Sequence, residues 1–402
     1  MSVSQMAEPA AKRNVFLLAA CMALGNSANM LQVTLGGLVG HILVTDKAYA
    51  TLPVTFVVGG TALATIPASM LMNRIGRKPG FMLGCVLAGS GSLLAALGIY
   101  LALFPLFCVG AFIFGASNAF TQLYRFAAAD ISPPHFKSRA ISWVMVGGLC
   151  AAFLGPEVAK YTREMLSPHL FLASYIAAAI LASLVLLVLL FVHLPKATVA
   201  EMTEKGRPLV EIVRQPSFIV AAMAGMFAYG VMNLMMTATP LAMQICAHPF
   251  AAAATVIQWH VFGMFFPSFF TGNLIARFGT LRIIMVGAAL NIICMAIALS
   301  GQEVMNFQLA LALLGVGWNF MYIGATSLLT EVYRPSERAK TQALNDFLVF
   351  GTVALASLGS GKLLYFYGWN SVSLSSLPFI LMAALAVAWL MLVRRRAAHL
   401  PG

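Results

Sequence analysis

The sequence predicts an all-α integral membrane protein with twelve transmembrane helices in two pseudo-symmetric six-helix bundles. Three observations lead there. Hydrophobic residues make up 61% of the 402-residue chain and charged residues only 9%, against about a quarter charged in soluble domains. Long apolar runs recur from Val15 to Val393, each able to supply the roughly 20 residues a bilayer crossing requires. Short motifs of the first half also return in the second at a nearly constant offset. Disorder is excluded, because disordered chains are poor in large apolar residues.

The first apolar run, Val15 to Leu43, follows a polar start that carries Lys12 and Arg13. It far exceeds the 7–15-residue core of a signal peptide, so it is expected to be retained as a first span over 15–42. Spans over 51–72, 80–100, 104–127, 140–162 and 169–193 complete a first domain, 1–193. The stretch 194–216 holds Lys196, Glu201, Glu204, Lys205, Arg207, Glu211 and Arg214 and reads as a linker. Spans over 217–245, 252–274, 282–300, 305–330, 341–365 and 371–393 build a second domain, 217–402, closed by Arg394, Arg395 and Arg396.

Basic residues sort by side. Of the 24, only Lys47, Lys160, Arg163 and Lys362 fall on one side, Arg125 lies inside a span, and the other 19 fall opposite. Lys and Arg accumulate in cytoplasmic loops. Both termini and the linker are therefore expected in the cytoplasm. The net charge of +12 would suggest a nucleic-acid partner for a soluble protein. Here topology accounts for it, and no nucleic-acid partner is expected. The cysteines Cys21, Cys85, Cys108, Cys150, Cys246 and Cys294 lie in apolar runs without C-x-x-C spacing. No disulfide, metal or cofactor site follows from them, and a monomer is expected.

The repeat is specific. Asn73-Arg74-Ile75-Gly76 is echoed by Ala276-Arg277-Phe278-Gly279. Asp130, Pro134, Lys137 and Arg139 return 201 residues later as Glu331, Pro335, Arg338 and Lys340, and Asn118 returns as Asn319. Parallel six-helix repeats usually place a substrate site at mid-membrane between the halves.

At these loops the sequence resembles the major facilitator superfamily. Ser69 to Phe81 (SMLMNRIGRKPGF) is similar to that family's G-x-x-x-D-R-x-G-R-[RK] loop, matching at Arg74, Gly76, Arg77 and Lys78. Ser69 replaces the first Gly and Asn73 the Asp. Gly147 to Val158 (GGLCAAFLGPEV) is similar to the family's antiporter signature ending in Gly-Pro, with Glu157 following. Gly315 to Phe320 and Thr330 to Phe350 resemble a bacterial branch, some of whose relatives carry riboflavin or export small organic compounds, and this implies a bacterial cell inner membrane as the location. The resemblance implies a secondary active transporter working by alternating access, with the first, fourth, seventh and tenth spans lining the cavity.

The residues themselves suggest where chemistry lies. Arg74, Arg77 and Asp130 are expected to pair at one helix end, with Arg277 and Glu331 repeating that pairing as parts of a latch. A charge at bilayer depth costs about 2.5–3.5 kcal/mol, so each deep one needs a reason. His260, Glu157 and Asp346 are candidates for proton coupling, because burial controls when such groups hold a proton. Asp346 is expected to favour a fixed interdomain contact, with Arg125 or the loop arginines, and Arg125 to act as a latch or tether. Polar stripes mark a substrate cavity: Asn26 and Asn29, Asn118 and Gln122, Tyr229 and Asn233, and Trp318, Asn319 and Tyr322. Such side chains turn from lipid toward a cavity or another helix.

Amides and aromatic rings with few charges suit a small amphipathic or aromatic solute as the partner, moved with protons across the lipid bilayer. A sugar needs more polar groups, and an inorganic anion needs several deep arginines. No phosphate-binding G-x-x-x-x-G-K-[ST] loop occurs, which excludes ATP-driven transport by this chain. No catalytic or metal residues are expected, since H-E-x-x-H and paired deep aspartates are missing. Efflux is slightly favoured over uptake of a riboflavin-like vitamin. A membrane sensor is remote, since no soluble domain accompanies the spans.

Overall fold

The computed structural model describes residues 8–45, 49, 52–195 and 206–399, and no strand occurs among them. Lipid offers no partner for backbone N–H and C=O groups, so each span must close its own hydrogen bonds as a helix. Span 1 is Glu8–Leu43, span 2 Leu52–Ile75 and span 3 Arg77–Tyr100. Span 4 runs as Phe104–Gln122 and Tyr124–Ile131, interrupted at Leu123. Span 5 is Lys137–Thr162, span 6 Leu172–Phe191 and span 7 Pro216–Ile245. Span 8 comes in two pieces, Phe250–Phe265 and Ser268–Phe278. Span 9 is Thr280–Ser300 and span 10 Val304–Leu329. Spans 11 and 12 share the helical run Arg338–His399, divided at Gly368 where φ is 76°.

Eleven helices among the described residues are long and apolar enough to cross a membrane. Span 8 is the twelfth. Pro267 divides it, because proline lacks the N–H that would continue the ladder and its ring crowds the preceding turn. Span 1 begins at Glu8 rather than at residue 15, with the Glu8 carboxylate in its first turn, where it complements the helix dipole. Residues 196–205 of the expected linker lie outside the described residues. Its remainder carries a short helix, Leu209–Val213.

The chain divides into two compact units. The first comprises Met1–Pro134, Trp143–Glu204 and Arg338–Phe347, and the second His135–Ser142, Lys205–Glu337 and Leu348–Gly402. Each unit thus includes the opening turns of one span from the other half of the sequence: span 11 in the first, span 5 in the second.

In the first unit, span 4 packs on spans 2 and 3, and span 6 on spans 1 and 3. In the second, span 10 packs on spans 7, 8 and 9. Lipid provides no hydrophobic drive between helices, so small residues that let backbones touch carry the association. A Cβ at Gly98 would lie 2.6 Å from the Phe107 amide nitrogen, and one at Gly315 2.5 Å from the His260 carbonyl oxygen. The two turns that lead into spans 3 and 9 show the duplication best. Gly76 has φ 95° and Gly279 φ 92°, a conformation that a Cβ strains and glycine does not. Leu63, Ile180, Phe191 and Leu385 remain exposed on single spans, the surface that lipid solvates.

Candidate functional site

Polar groups gather at one end of the first unit. Arg77, at the start of span 3, donates to Asp130 at 2.5 Å and to Gln342 at 3.1 Å. Arg338 stands 4.0 Å from the same Asp130 carboxylate. The Ser69 hydroxyl donates to the Ala339 carbonyl at 2.9 Å, so the serine that departs from the family's glycine gains a partner. Asn73 and Arg74 are exposed. These contacts fasten the start of span 11 to spans 2, 3 and 4 within the unit.

Deeper in the same unit lies a buried ion pair. Arg125 of span 4 donates to Asp346 of span 11 at 2.6 Å, with the two side chains 0% and 2% exposed. Arg125 also donates to Gln122 at 3.0 Å, and Asn345 donates to Asp346 at 3.0 Å. Of the partners expected for Asp346, Arg125 is the one it meets, inside a single compact unit. Shifting Arg125 and Asp346 by the 201-residue repeat lands on Thr326 and Met145, so the pair has no counterpart in the duplicated scaffold.

The second unit holds its own clusters. Glu331 pairs with Arg394 at 2.9 Å, while Arg277 lies over the Phe278 ring at 5.2 Å. The structure thus does not bring Arg277 and Glu331 together, because the end of span 12 offers Glu331 a closer cation. Glu337 is buried and receives the Arg207 side chain at 2.6 and 2.8 Å, with the Arg207 and Arg334 amides at 2.8 and 3.0 Å. Hydrogen bonding to Glu337 holds Arg207 above its ordinary pKa.

Trp318 and Tyr322 of span 10 stack at 5.0 Å with planes 19° apart. Tyr229 of span 7 tilts against both, at 5.3 and 5.2 Å, and Phe350 of span 11 closes on Tyr229 at 5.6 Å. Asn233 reaches the Val353 carbonyl at 3.4 Å. Four of the residues singled out by composition thus lie on neighbouring turns of spans 7 and 10.

Asn319 behaves differently. It is fully buried and its amide is occupied: the nitrogen donates to the Met264 carbonyl and the Ser268 hydroxyl, both at 2.6 Å, and the oxygen accepts from Thr271 at 2.7 Å. All three partners flank the Pro267 break. Ser142 of span 5 completes the repair, accepting from the Gly272 amide at 3.0 Å and donating to the Ser268 carbonyl at 2.5 Å. Replacing Asn319 with Leu is expected to lower stability by about 1–3 kcal/mol, because buried groups lose their partners. Thermal unfolding of the purified protein measures this, and an unchanged midpoint contradicts it.

His260 is buried and its Nδ1 lies 2.8 Å from the Leu311 carbonyl, an interhelical contact between spans 8 and 10. Glu157 is exposed on span 5. Asn26 and Asn29 are half-buried on span 1. Asn118 lines a water-sized cavity of about 20 Å³ inside the first unit, with Ser117, Thr121 and Cys85. All six cysteines are free. Composition alone missed Gln342, Phe350, Ser142 and Glu337. Their only signal was position, since Gln342 and Glu337 adjoin the repeated loop and Phe350 follows Asp346 by one helical turn.

The family model described as Major Facilitator Superfamily matches residues 15–266 and 226–402. The chain belongs to this family. As a member of the superfamily it is a multi-pass membrane transporter and not an enzyme. It is 44% identical to the riboflavin transporter RfnT of Brucella anthropi over 373 residues, 92% of this chain and 94% of that one. It is 28% identical to YdeG of Bacillus subtilis, an uncharacterized MFS-type transporter, covering 94% and 92% of the two chains. Among solved structures, the superfamily transporter FucP in the outward conformation superposes with a TM-score of 0.76 at 16% identity, over 94% of this chain and 97% of that one. At that identity the likeness speaks for the fold alone.

Proposed function

We propose that this transporter takes up riboflavin or a close flavin relative across the bacterial inner membrane by alternating access, driven by protons. The observation that carries the reading is the 44% identity to a riboflavin transporter over nearly the full length of both chains. The chemistry of the second unit agrees with it. Stacked rings bind a flat heteroaromatic solute through its faces, and Tyr229, Trp318 and Tyr322 supply three such rings within 5.3 Å of one another. Gly155 and Pro156 tilted the sequence reading toward efflux. In the structure a Cβ at Gly155 would lie 2.8 Å from the Met30 Cβ, so close packing on span 1 already gives that glycine a role.

The polar clusters of the first unit read as the latch. Releasing residues 338–347 from that unit means breaking Arg77–Asp130–Gln342, Ser69–Ala339 and Arg125–Asp346. The excess of basic residues at this end supports a cytoplasmic position for it. Of the three coupling candidates we assign the proton to Asp346. Neutralising its carboxylate removes the charge that holds Arg125, which links protonation to release of span 11. His260 is assigned to packing.

Expression in a riboflavin-requiring bacterium tests the function. Cells carrying the chain are expected to accumulate radiolabelled riboflavin above vector controls, and a protonophore is expected to abolish the difference. Verified membrane insertion without accumulation overturns the reading.

A further inference from the structure

The aromatic cluster carries one feature its packing does not use. Trp318 is 1% exposed, and its Nε1–H has no hydrogen-bond partner among the described residues. A buried indole N–H usually finds an acceptor, and leaving one unmade is unfavourable. This donor sits in a wall of rings drawn from four spans: Tyr229 from span 7, Phe265 from span 8, Trp318 and Tyr322 from span 10, and Phe350 from span 11. Tyr229 is the half-buried member, and its ring touches both members of the Trp318–Tyr322 stack.

The neighbouring cavity is chemically different. It has a volume of about 430 Å³ and is lined by Phe227, Val231, Leu234, Thr352, Leu355 and Phe379 among others. The Thr352 hydroxyl donates to the Leu348 carbonyl of its own helix, and the Ser375 hydroxyl likewise to Val372. That cavity therefore presents no free donor to a polar ring edge. The ring wall does.

We propose that Trp318 and Tyr322 form the platform for a flat heteroaromatic ring bearing an edge acceptor, and that the Tyr229 ring holds this seat until the ligand displaces it. The Trp318 Nε1–H then donates to a carbonyl oxygen or ring nitrogen of the ligand. The flavin identity of that ring rests on the proposed function, whereas the seat and its donor rest on the geometry.

The experiment titrates purified protein with lumichrome (the ring system without a tail), riboflavin, and ribitol (the tail alone), reading tryptophan emission corrected with free tryptophan. Lumichrome and riboflavin are expected to quench, and ribitol is not. Trp318→Phe keeps the stack and removes an unsatisfied donor, so it is expected to fold as wild type and to weaken lumichrome binding by about two- to tenfold, the worth of one hydrogen bond. Tyr229→Ala is expected to bind lumichrome at least as tightly as wild type. Riboflavin transport with affinities unchanged in Trp318→Phe overturns the seat and leaves the function standing, as does loss of binding in Tyr229→Ala. Absence of both quenching and transport in wild type overturns the function and the seat together.

Discussion

Replacing Asp346 with Asn is expected to lower stability by about 3–5 kcal/mol, the usual penalty for leaving one member of a buried ion pair uncompensated. Arg125 keeps its charge at 0% exposure and has Asp346 at 2.6 Å as its carboxylate partner. Asn is nearly isosteric, so the loss is electrostatic rather than a cavity effect. The diagnostic control is the double variant Arg125→Met with Asp346→Leu. Removing both charges removes the desolvation burden along with the attraction, and apolar replacements of buried pairs are often neutral or stabilising. Thermal unfolding in detergent should therefore rank wild type and the double variant close together, with Asp346→Asn far below. If the double variant is as unstable as the single one, the pair is not the source of the loss. The same double variant is expected to lose proton dependence of uptake while remaining folded, because it has no group left to release span 11.

Gly315→Leu is expected to be comparably damaging for a steric reason. A Cβ at Gly315 would lie 2.5 Å from the His260 carbonyl oxygen and 2.8 Å from the Met264 amide nitrogen. Both neighbours are backbone atoms of span 8, so no side chain can turn aside. Overpacking a close-packed interior costs about 1–3 kcal/mol and sometimes more. Here spans 8 and 10 must separate outright, and the Asn319 bonds to Met264 and Ser268 weaken with them. Expected readouts are poor yield and a broadened size-exclusion peak. Gly351→Ala is the control, since a Cβ there meets nothing within 4 Å among the described residues. Equal behaviour of the two variants contradicts the packing account.

The fold was legible in the sequence because its determinants are local. Apolar length sets each span, basic residues mark the loops, and Gly76 and Gly279 announce the same turn twice at one offset. Side-chain partners were less legible because they depend on where helices converge. Charge and depth called for a cationic partner for Asp346 and left it open between Arg125 and the loop arginines, since a buried charge needs a partner. Glu331 was expected to pair with Arg277 and instead meets Arg394, a cation from a span whose end position only the packed unit defines. Asn319 read as a cavity residue for the same reason. The break at Pro267 creates the unsatisfied groups it serves, and Pro267 reads in sequence as one more membrane proline. Trp318 and Tyr322, one turn apart, were legible as cavity candidates, whereas their stack on each other came from the structure. Phe350 joined them from a distant part of the chain.

The most direct measurement is flux into proteoliposomes holding the purified chain as their sole protein. With an acidic exterior and neutral lumen, radiolabelled riboflavin is expected to accumulate above its outside concentration, and collapse of the gradient is expected to release the excess. Liposomes that stay empty of riboflavin under that gradient, with the chain shown to be folded and inserted, contradict the account.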